Sequence, residues 1–322
     1  MSNLILFPSP FSAEFDRLIN QANKFIESAK SAATVRAYKS DWLDFVQWTE
    51  AHQFPSLPAS PETVALYIAD RASTLAAATI CRRLTSISRA HQAAGFSNSP
   101  ASTHHFVVRQ MMHGIRRVIG TAQHGKDPLL SADIRKLVAS CADNLSGRRD
   151  RALILVGFTA ASRRSEIAFA LVEDLTFCAD GVVFNLRKSK TDQEAKGRKI
   201  GIPFGNAEAT CPVGALRAWL SAAEITSGPV FRAIDRYGHV SPHPLHRDSV
   251  GYIIKRAAAR AGLDIGPIAG HSLRSGFVTQ SAMNKVPEYL IRRQTGQTSA
   301  TLQRYIRLGE LFINNPVSGL GI

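Results

Sequence analysis

The amino-acid sequence predicts a mainly α protein of two domains, the first entirely helical and the second an α+β domain with a small antiparallel sheet. Three observations carry that expectation. The chain has 322 residues, more than the ~100 to 200 of one ordinary domain. Apolar residues in its first part recur at helical spacing, and in its second part helical patterns surround one short stretch of strict alternation. The composition, 45% apolar and 20% charged with 16 Phe and 3 Trp, supplies sizeable cores and excludes a disordered chain.

In chain order, residues 1–13 are expected to form a flexible N-terminus and residues 14–120 the helical domain. Thr34 can cap a helix whose Tyr38, Trp42, Phe45 and Val46 fall on one face. Ser60 before Pro61 marks a second start, because the hydroxyl can accept from an orphan N–H and proline sits where no N–H is needed. A third helix is expected from about Thr74 to Ala94, with Leu75, Ile80, Leu84 and Ile87 apolar and Arg82, Arg83 and Arg89 charged. Gly120 to Pro128, reading GTAQHGKDP, breaks the apolar periodicity, which puts a linker at 121–128 and the second domain at 129–322.

The second domain opens on Ser131 as a helix cap, followed by a long helical pattern from Asp150 through Ala170. Val182, Phe184 and Leu186 then alternate with Val183, Asn185 and Arg187, and Lys199 to Ile202 resume a strand pattern. These two segments form a hairpin with Lys188 and Lys190 near its tip. Helical spacing returns with Ala215, Leu216, Trp219 and Leu220, and again with Val250, Ile253 and Ile254.

Charge narrows the function. Lys and Arg total 39 against 25 Asp and Glu, a net charge of +14, and both parts of the chain share the excess. Such a balance implies a polyanionic partner, with nucleic acid ahead of an anionic membrane surface. The longest apolar run, Ala152 to Ala161, is about half of the ~20 residues a membrane span needs, and Ser162, Arg163 and Arg164 follow it. No basic residue precedes Leu4 to Phe7, and Pro8 and Pro10 follow, so no secretory signal is read and a cytoplasmic, nucleoid-associated protein is expected. Cys81, Cys141, Cys178 and Cys211 are far apart and form no CxxC pair, so neither a zinc site nor a disulfide framework is expected.

Four polar clusters stand out in the second domain: Arg163 with Glu166 in ASRRSEI, Lys190 in RKSKTDQ, His271 with Arg274 in GHSLR, and Tyr305 in QRYIR. Taken singly, each has an ordinary explanation as a helical ion pair, a solvated lysine, a helix cap or a packed tyrosine. Their order and spacing together are specific. The sequence resembles the tyrosine recombinase, or phage integrase, family, whose active site runs Arg, Lys, His-x-x-Arg, a His or Trp, and Tyr. Arg163, Lys190, His271, Arg274 and Tyr305 match that order, and roughly Thr34 to Gly120 looks like the family's helical core-binding domain. Gln297, eight residues before Tyr305, stands where the family usually has His or Trp. An amide donates a hydrogen bond but cannot take up a proton as imidazole can, so a transition-state contact worth on the order of 3 kcal/mol is expected to be weakened.

The resemblance implies a reaction on double-stranded DNA without metal, ATP or other cofactor. Tyr305 would attack the scissile phosphate, Arg163 and Arg274 would neutralise its nonbridging oxygens, His271 would take the tyrosine proton, and Lys190 would protonate the leaving 5′-oxygen. Glu166 would hold the arginine and histidine in place. It further implies a homotetramer on paired inverted-repeat sites. Arg82 and Arg83 in the first domain, with Arg292, Arg293 and Arg304 in the second, are the candidate DNA contacts. The apolar tail from Leu308 to Ile322 would dock either on a neighbouring protomer or on its own domain. Two other functions compete: a DNA-binding protein with lost or weak catalysis, suggested by Gln297, and a type IB topoisomerase-like enzyme sharing the tyrosyl-phosphate chemistry.

Overall fold

The computed structural model describes residues 13–96, 102–121, 125–187, 197–309 and 317, and the chain divides into two compact units, residues 1–124 and 125–322. The expected flexible segment 1–13 lies outside the described residues except for Ala13, which opens a helix.

Among the described residues the first unit is helical: α1 (Ala13–Ser28), α2 (Ala32–Ala51), α3 (Pro61–Arg71), α4 (Ala77–Ala93) and α5 (Phe106–Ile119). Ser60 caps α3 as read from the sequence, its hydroxyl accepting from the Thr63 N–H at 3.2 Å, with Pro61 the first helical residue. The cap of α2 is Ser31 rather than Thr34. Ser31 has the extended backbone of a cap and accepts from the Thr34 N–H at 3.2 Å, so Thr34 lies inside the first turn. α4 starts three residues later than expected, because Leu75 still closes the end of α3 through its N–H to Arg71 O at 2.9 Å. Phe45, Trp48, Val64, Tyr67, Ile68, Ile80 and Ile87 form the core.

That core is bordered by two carboxylates. Asp41, 4% exposed at its side chain, takes a two-pronged bond from Arg82 at 2.8 and 3.0 Å. Asp44 is bonded by Arg83, by Tyr67 Oη at 2.8 Å and by Arg71 at 3.1 Å. Burial acts to raise the Asp44 pKa, but the bonds from Arg83 and Tyr67 and the charges of Arg83 and Arg71 outweigh it and lower it. Burial also pushes the Tyr67 hydroxyl up to about 12, so it stays a donor.

The second unit begins with α6 (Ser131–Ala139) and α7 (Leu145–Thr159), then α8 (Arg164–Ala168). Strands β1 (Leu175–Cys178), β2 (Gly181–Leu186) and β3 (Arg198–Pro203) form an antiparallel sheet in sequence order, followed by α9 (Pro212–Ala222). β4 (Arg232–Ile234) and β5 (Val240–Pro244) make a second small hairpin before α10 (Arg247–Arg260), α11 (Ser272–Met283), α12 (Glu288–Thr295) and α13 (Ser299–Gly309). The cap of α6 also moves: Leu130 precedes the helix with its N–H on the Asp133 carboxylate at 2.9 Å, and Ser131 is the first helical residue.

α7 runs through the middle of this unit, with Ala152 to Gly157 buried on every side, which is why its sequence lacks an amphipathic period. α11 passes so close to the chain entering α6 that a Cβ on Gly276 would lie 1.9 Å from Leu129 O. Among the described residues no helix is long and apolar enough to cross a membrane, and all four cysteines are free thiols.

Candidate active site

The long helix expected over 150–170 is broken, and the break places the first arginine. α7 ends at Thr159, and Ala161, fully buried, takes a left-handed φ of +48° before α8 starts at Arg164. Neither glycine nor proline marks this turn. A buried guanidinium holds it instead, since Arg274 Nη1 donates to Ala161 O at 2.5 Å.

Arg163 therefore caps α8 rather than riding inside a helix, and its relation to Glu166 differs from a surface ion pair. Glu166 Oε2 accepts from the Arg163 backbone N–H at 2.8 Å, and Oε1 accepts from Arg163 Nη1 at 2.5 Å. The carboxylate is buried, with Oε2 also 3.9 Å from Arg274 Nη1. One carboxylate thus lies between two arginines, bonded to Arg163 and an unbonded ion-pair neighbour of Arg274.

Arg274 belongs to α11 and is 1% exposed. Its Nη1 and Nη2 donate to Ala161 O and, at 2.7 Å, to Thr295 O. Each of these nitrogens retains a second N–H. Burial, with the neighbouring charge of Arg163, pushes its pKa down to about 10, so it remains a cation at neutral pH.

His271 lies immediately before α11, and Tyr305 lies on α13. Leu302 and Ile306 of α13 pack with Val278 and Ala282 of α11 and Ile291 of α12, and this small apolar cluster fixes the tyrosine helix. The result is a distance of 3.1 Å between His271 Nε2 and Tyr305 Oη. Burial first, then the charges of Arg274, Arg163 and Arg164, depress the His271 pKa below its ordinary 6.5. A neutral imidazole beside a phenol is able to accept its proton.

Gln297 is also buried, its N–H bonded to Thr295 Oγ1 at 3.2 Å and its side-chain Oε1 enclosed without a partner. Of the remaining sequence-derived candidates, Lys190 and Lys188 lie outside the described residues, although the strands that flank them pair as expected, with Leu186 opposite Arg198. Arg292 and Arg293 are exposed on α12, Arg292 Nη1 donating to Ser299 Oγ at 3.2 Å. Arg304 lies in α13, but its side chain is outside the described set, as is the tail apart from its helical start and Val317. In the first unit Arg82 is half-exposed, whereas Arg83 is turned inward onto Asp44 and Tyr67.

The structure adds residues the sequence did not single out. Gln294 Nε2 donates to Thr159 O at 2.9 Å and to Gly201 O at 3.1 Å, tying α12 to the end of α7 and to β3. Arg198, at the start of β3, donates through Nη1 to Gln294 O at 2.5 Å. Its pKa is lowered by burial and by the charge of Arg163, against the pull of Glu166. In the sequence it is one basic residue of a Lys- and Arg-rich turn, and nothing there separates it from its neighbours.

Two arginines thus flank one carboxylate, and a histidine lies against a tyrosine, on an α+β scaffold. The chain belongs to the phage integrase family, whose model matches residues 128–310. It is 41% identical over 319 residues to an integrase/recombinase XerD homolog of Selenomonas ruminantium, covering 98% of this chain and 93% of that protein. Its fold is similar to that of a Tn1549 transposon integrase in complex with transposon right end DNA, with TM-score 0.61, 13% identity and coverage of 91% and 93%. A lambda integrase dimer bound to a COC′ core site matches with TM-score 0.58, 15% identity and coverage of 90% and 94%. A XerH recombinase bound to palindromic difH substrate in a post-cleavage complex matches with TM-score 0.57, 16% identity and coverage of 81% and 71%.

Proposed function

We propose that the chain cuts and rejoins duplex DNA at specific sites through a covalent 3′-phosphotyrosyl intermediate formed by Tyr305. The observation that carries this reading is the 3.1 Å contact between Tyr305 Oη and His271 Nε2 beside Arg163, bonded to Glu166, and Arg274, 3.9 Å from the same carboxylate. As Tyr305 Oη bonds to phosphorus, its proton passes to His271 and the bond to the 5′-oxygen breaks. Lys190 delivers a proton to that leaving oxygen, and attack by a second 5′-hydroxyl later reverses the step. The phosphoester energy is kept in the tyrosyl linkage, so no ATP is required. Arg163 and the unused N–H groups of Arg274 balance charge on the nonbridging oxygens, where fixed guanidinium forks suit a planar array of acceptors. That assignment calls for no metal or cofactor.

Binding is expected to be dominated by phosphate contacts and to weaken steeply with salt, given the net charge of +14. Arg82, Arg292, Arg293 and Arg304 are the proposed contacts, with Arg83 acting from behind through the Asp44 cluster. The functional assembly is a homotetramer on two inverted-repeat sites, working in the cytoplasm on nucleoid DNA. Selection of SDS-stable complexes from nicked duplexes, drawn from random sequence and from the DNA flanking the gene, tests the reading. Capture of one inverted-repeat sequence, followed by exchange between two copies of it, is expected. Binding of one sequence without any adduct would replace this function with that of a non-cutting DNA-binding protein. Relaxation of supercoiled DNA of arbitrary sequence without exchange would point to topoisomerase-like action.

A further inference from the structure

Two polar atoms beside the reaction centre are buried without partners, and they are chemically complementary. Among the described residues, Arg198 Nη2 is an enclosed donor with no acceptor, and Gln297 Oε1 is an enclosed acceptor with no donor. Leaving such groups unmatched is costly, and more so for a charged one. They also lie on neighbouring pieces of chain. The Arg198 guanidinium is laid against Gly296, the residue preceding Gln297: a Cβ at Gly296 would come within 3.0 Å of Nη1, 3.1 Å of Cζ and 3.3 Å of Nε. Gly296 has a φ of +63°, so both its conformation and its missing side chain make room for the arginine. Arg198 Nη1 is already anchored on Gln294 O, and Gln294 is in turn tied to Gly201 of β3.

We propose that Arg198 is a positioning residue for Gln297: its Nη2 donates to Gln297 Oε1 in the DNA-engaged site and thereby turns the amide so that Nε2 donates to a nonbridging oxygen of the scissile phosphate. This inference rests on the phosphotyrosyl reading above and adds to it an account of how a glutamine serves where the family usually has His or Trp. An amide has two ends of opposite polarity, and the wrong one aimed at a phosphate repels it. A tryptophan presents only an N–H, and a histidine can carry its proton on whichever ring nitrogen faces the phosphate, so neither needs a partner to hold one fixed end outward. The charge balance agrees, since Arg163, Arg274 and Arg198 surround the single carboxylate of Glu166 and leave the site cationic. The guanidinium also polarises the amide it holds, making Nε2 a better donor.

The test is a double-mutant cycle on the nicked duplex captured by the wild type, read as the single-turnover rate of adduct formation. Arg198→Ala is expected to slow adduct formation on the order of tenfold or more, short of the ~10²- to 10³-fold that loss of a whole transition-state donor brings. In a Gln297→His background the same change is expected to slow it less than about threefold, because the imidazole can place its proton on the nitrogen facing the phosphate without Arg198. Arg198→Lys, which keeps the charge and one donor, should fall between. Equal losses in both backgrounds, or no loss in either, would overturn the inference. Thermal unfolding of each variant separates a folding defect, which would appear in both backgrounds alike. A wild type that forms no adduct would overturn the reading of the reaction, and this inference with it.

Discussion

Replacing Glu166 by Gln removes one charge and almost no volume, and its effect can be worked out from the contacts. The carboxylate is 4% exposed and receives two bonds from Arg163, at 2.8 and 2.5 Å, with Arg274 Nη1 at 3.9 Å. Breaking a buried ion pair by removing one partner costs about 3 to 5 kcal/mol, because the remaining charge stays buried. The glutamine carbonyl keeps one of the two acceptor positions, which returns about 1 kcal/mol, a neutral hydrogen bond. A net loss of about 2 to 4 kcal/mol is therefore expected. For a unit of this size each kcal/mol moves the midpoint by about 2 to 4 °C, so the second unit should melt roughly 5 to 15 °C earlier. Thermal unfolding followed by circular dichroism measures this, with Asp248→Asn as the control. Asp248 pairs with Arg164 at 3.1 Å but both side chains are about half-exposed, so that change should cost under about 1 kcal/mol. If Glu166→Gln melted within about 1 °C of the wild type, the carboxylate would not be the clamp between the two arginines.

Other expectations follow from the same geometry. Because the folded pKa of His271 is depressed, the neutral ring is favoured, and its contribution to stability is full above the ordinary 6.5 and lost as pH falls toward the folded value. Adduct formation should accordingly stay flat from about pH 7 to 8 and fall only on the acid side of 6.5; a rate already falling from pH 8 to 7 would contradict the assignment. Gly276→Ala should severely destabilise the second unit, since the Cβ meets Leu129 backbone oxygen at 1.9 Å, whereas Gly157→Ala meets the movable Leu273 Cδ1 at 2.9 Å and should be milder. Urea unfolding of both variants checks that order. Arg83→Ala should destabilise the first unit by about 2 kcal/mol through loss of charge-assisted bonds to Asp44. Arg82→Ala should lower DNA affinity and reduce the salt slope by about one, which a filter-binding titration over salt would read.

Much of this was legible in the sequence because the residues concerned carry their chemistry in order along the chain. The spacing of His271 and Arg274 places one before α11 and the other on its buried first turn, and the alternation of Val182, Phe184 and Leu186 marks β2 without any tertiary information. The break between α7 and α8 was not legible. Ala160 and Ala161 are good helix formers, and the turn there is imposed by Arg274, more than a hundred residues away. The same holds for Arg198. Its role depends on Gly296 and Gln297, which approach β3 only after α12 has packed, whereas locally it reads as one more solvated cation. The cap of α2 falls on Ser31 because two polar residues near its start could serve and backbone geometry chooses between them, and α6 starts without a polar cap because the Asp133 carboxylate takes the Leu130 N–H. β1, β4 and β5 are too short for an alternating pattern to emerge.

In the proposed reaction Tyr305 becomes covalently joined to DNA. Digesting SDS-stable complexes with nuclease and protease and sequencing the modified peptide by tandem mass spectrometry would locate the bond. Expected are a nucleotide attached through phosphate to Tyr305, a free 5′-hydroxyl at the cut, and no adduct with Tyr305→Phe under conditions where that variant still binds the same duplex. A phosphodiester bond to any other residue, or an undiminished adduct with Tyr305→Phe, would contradict it.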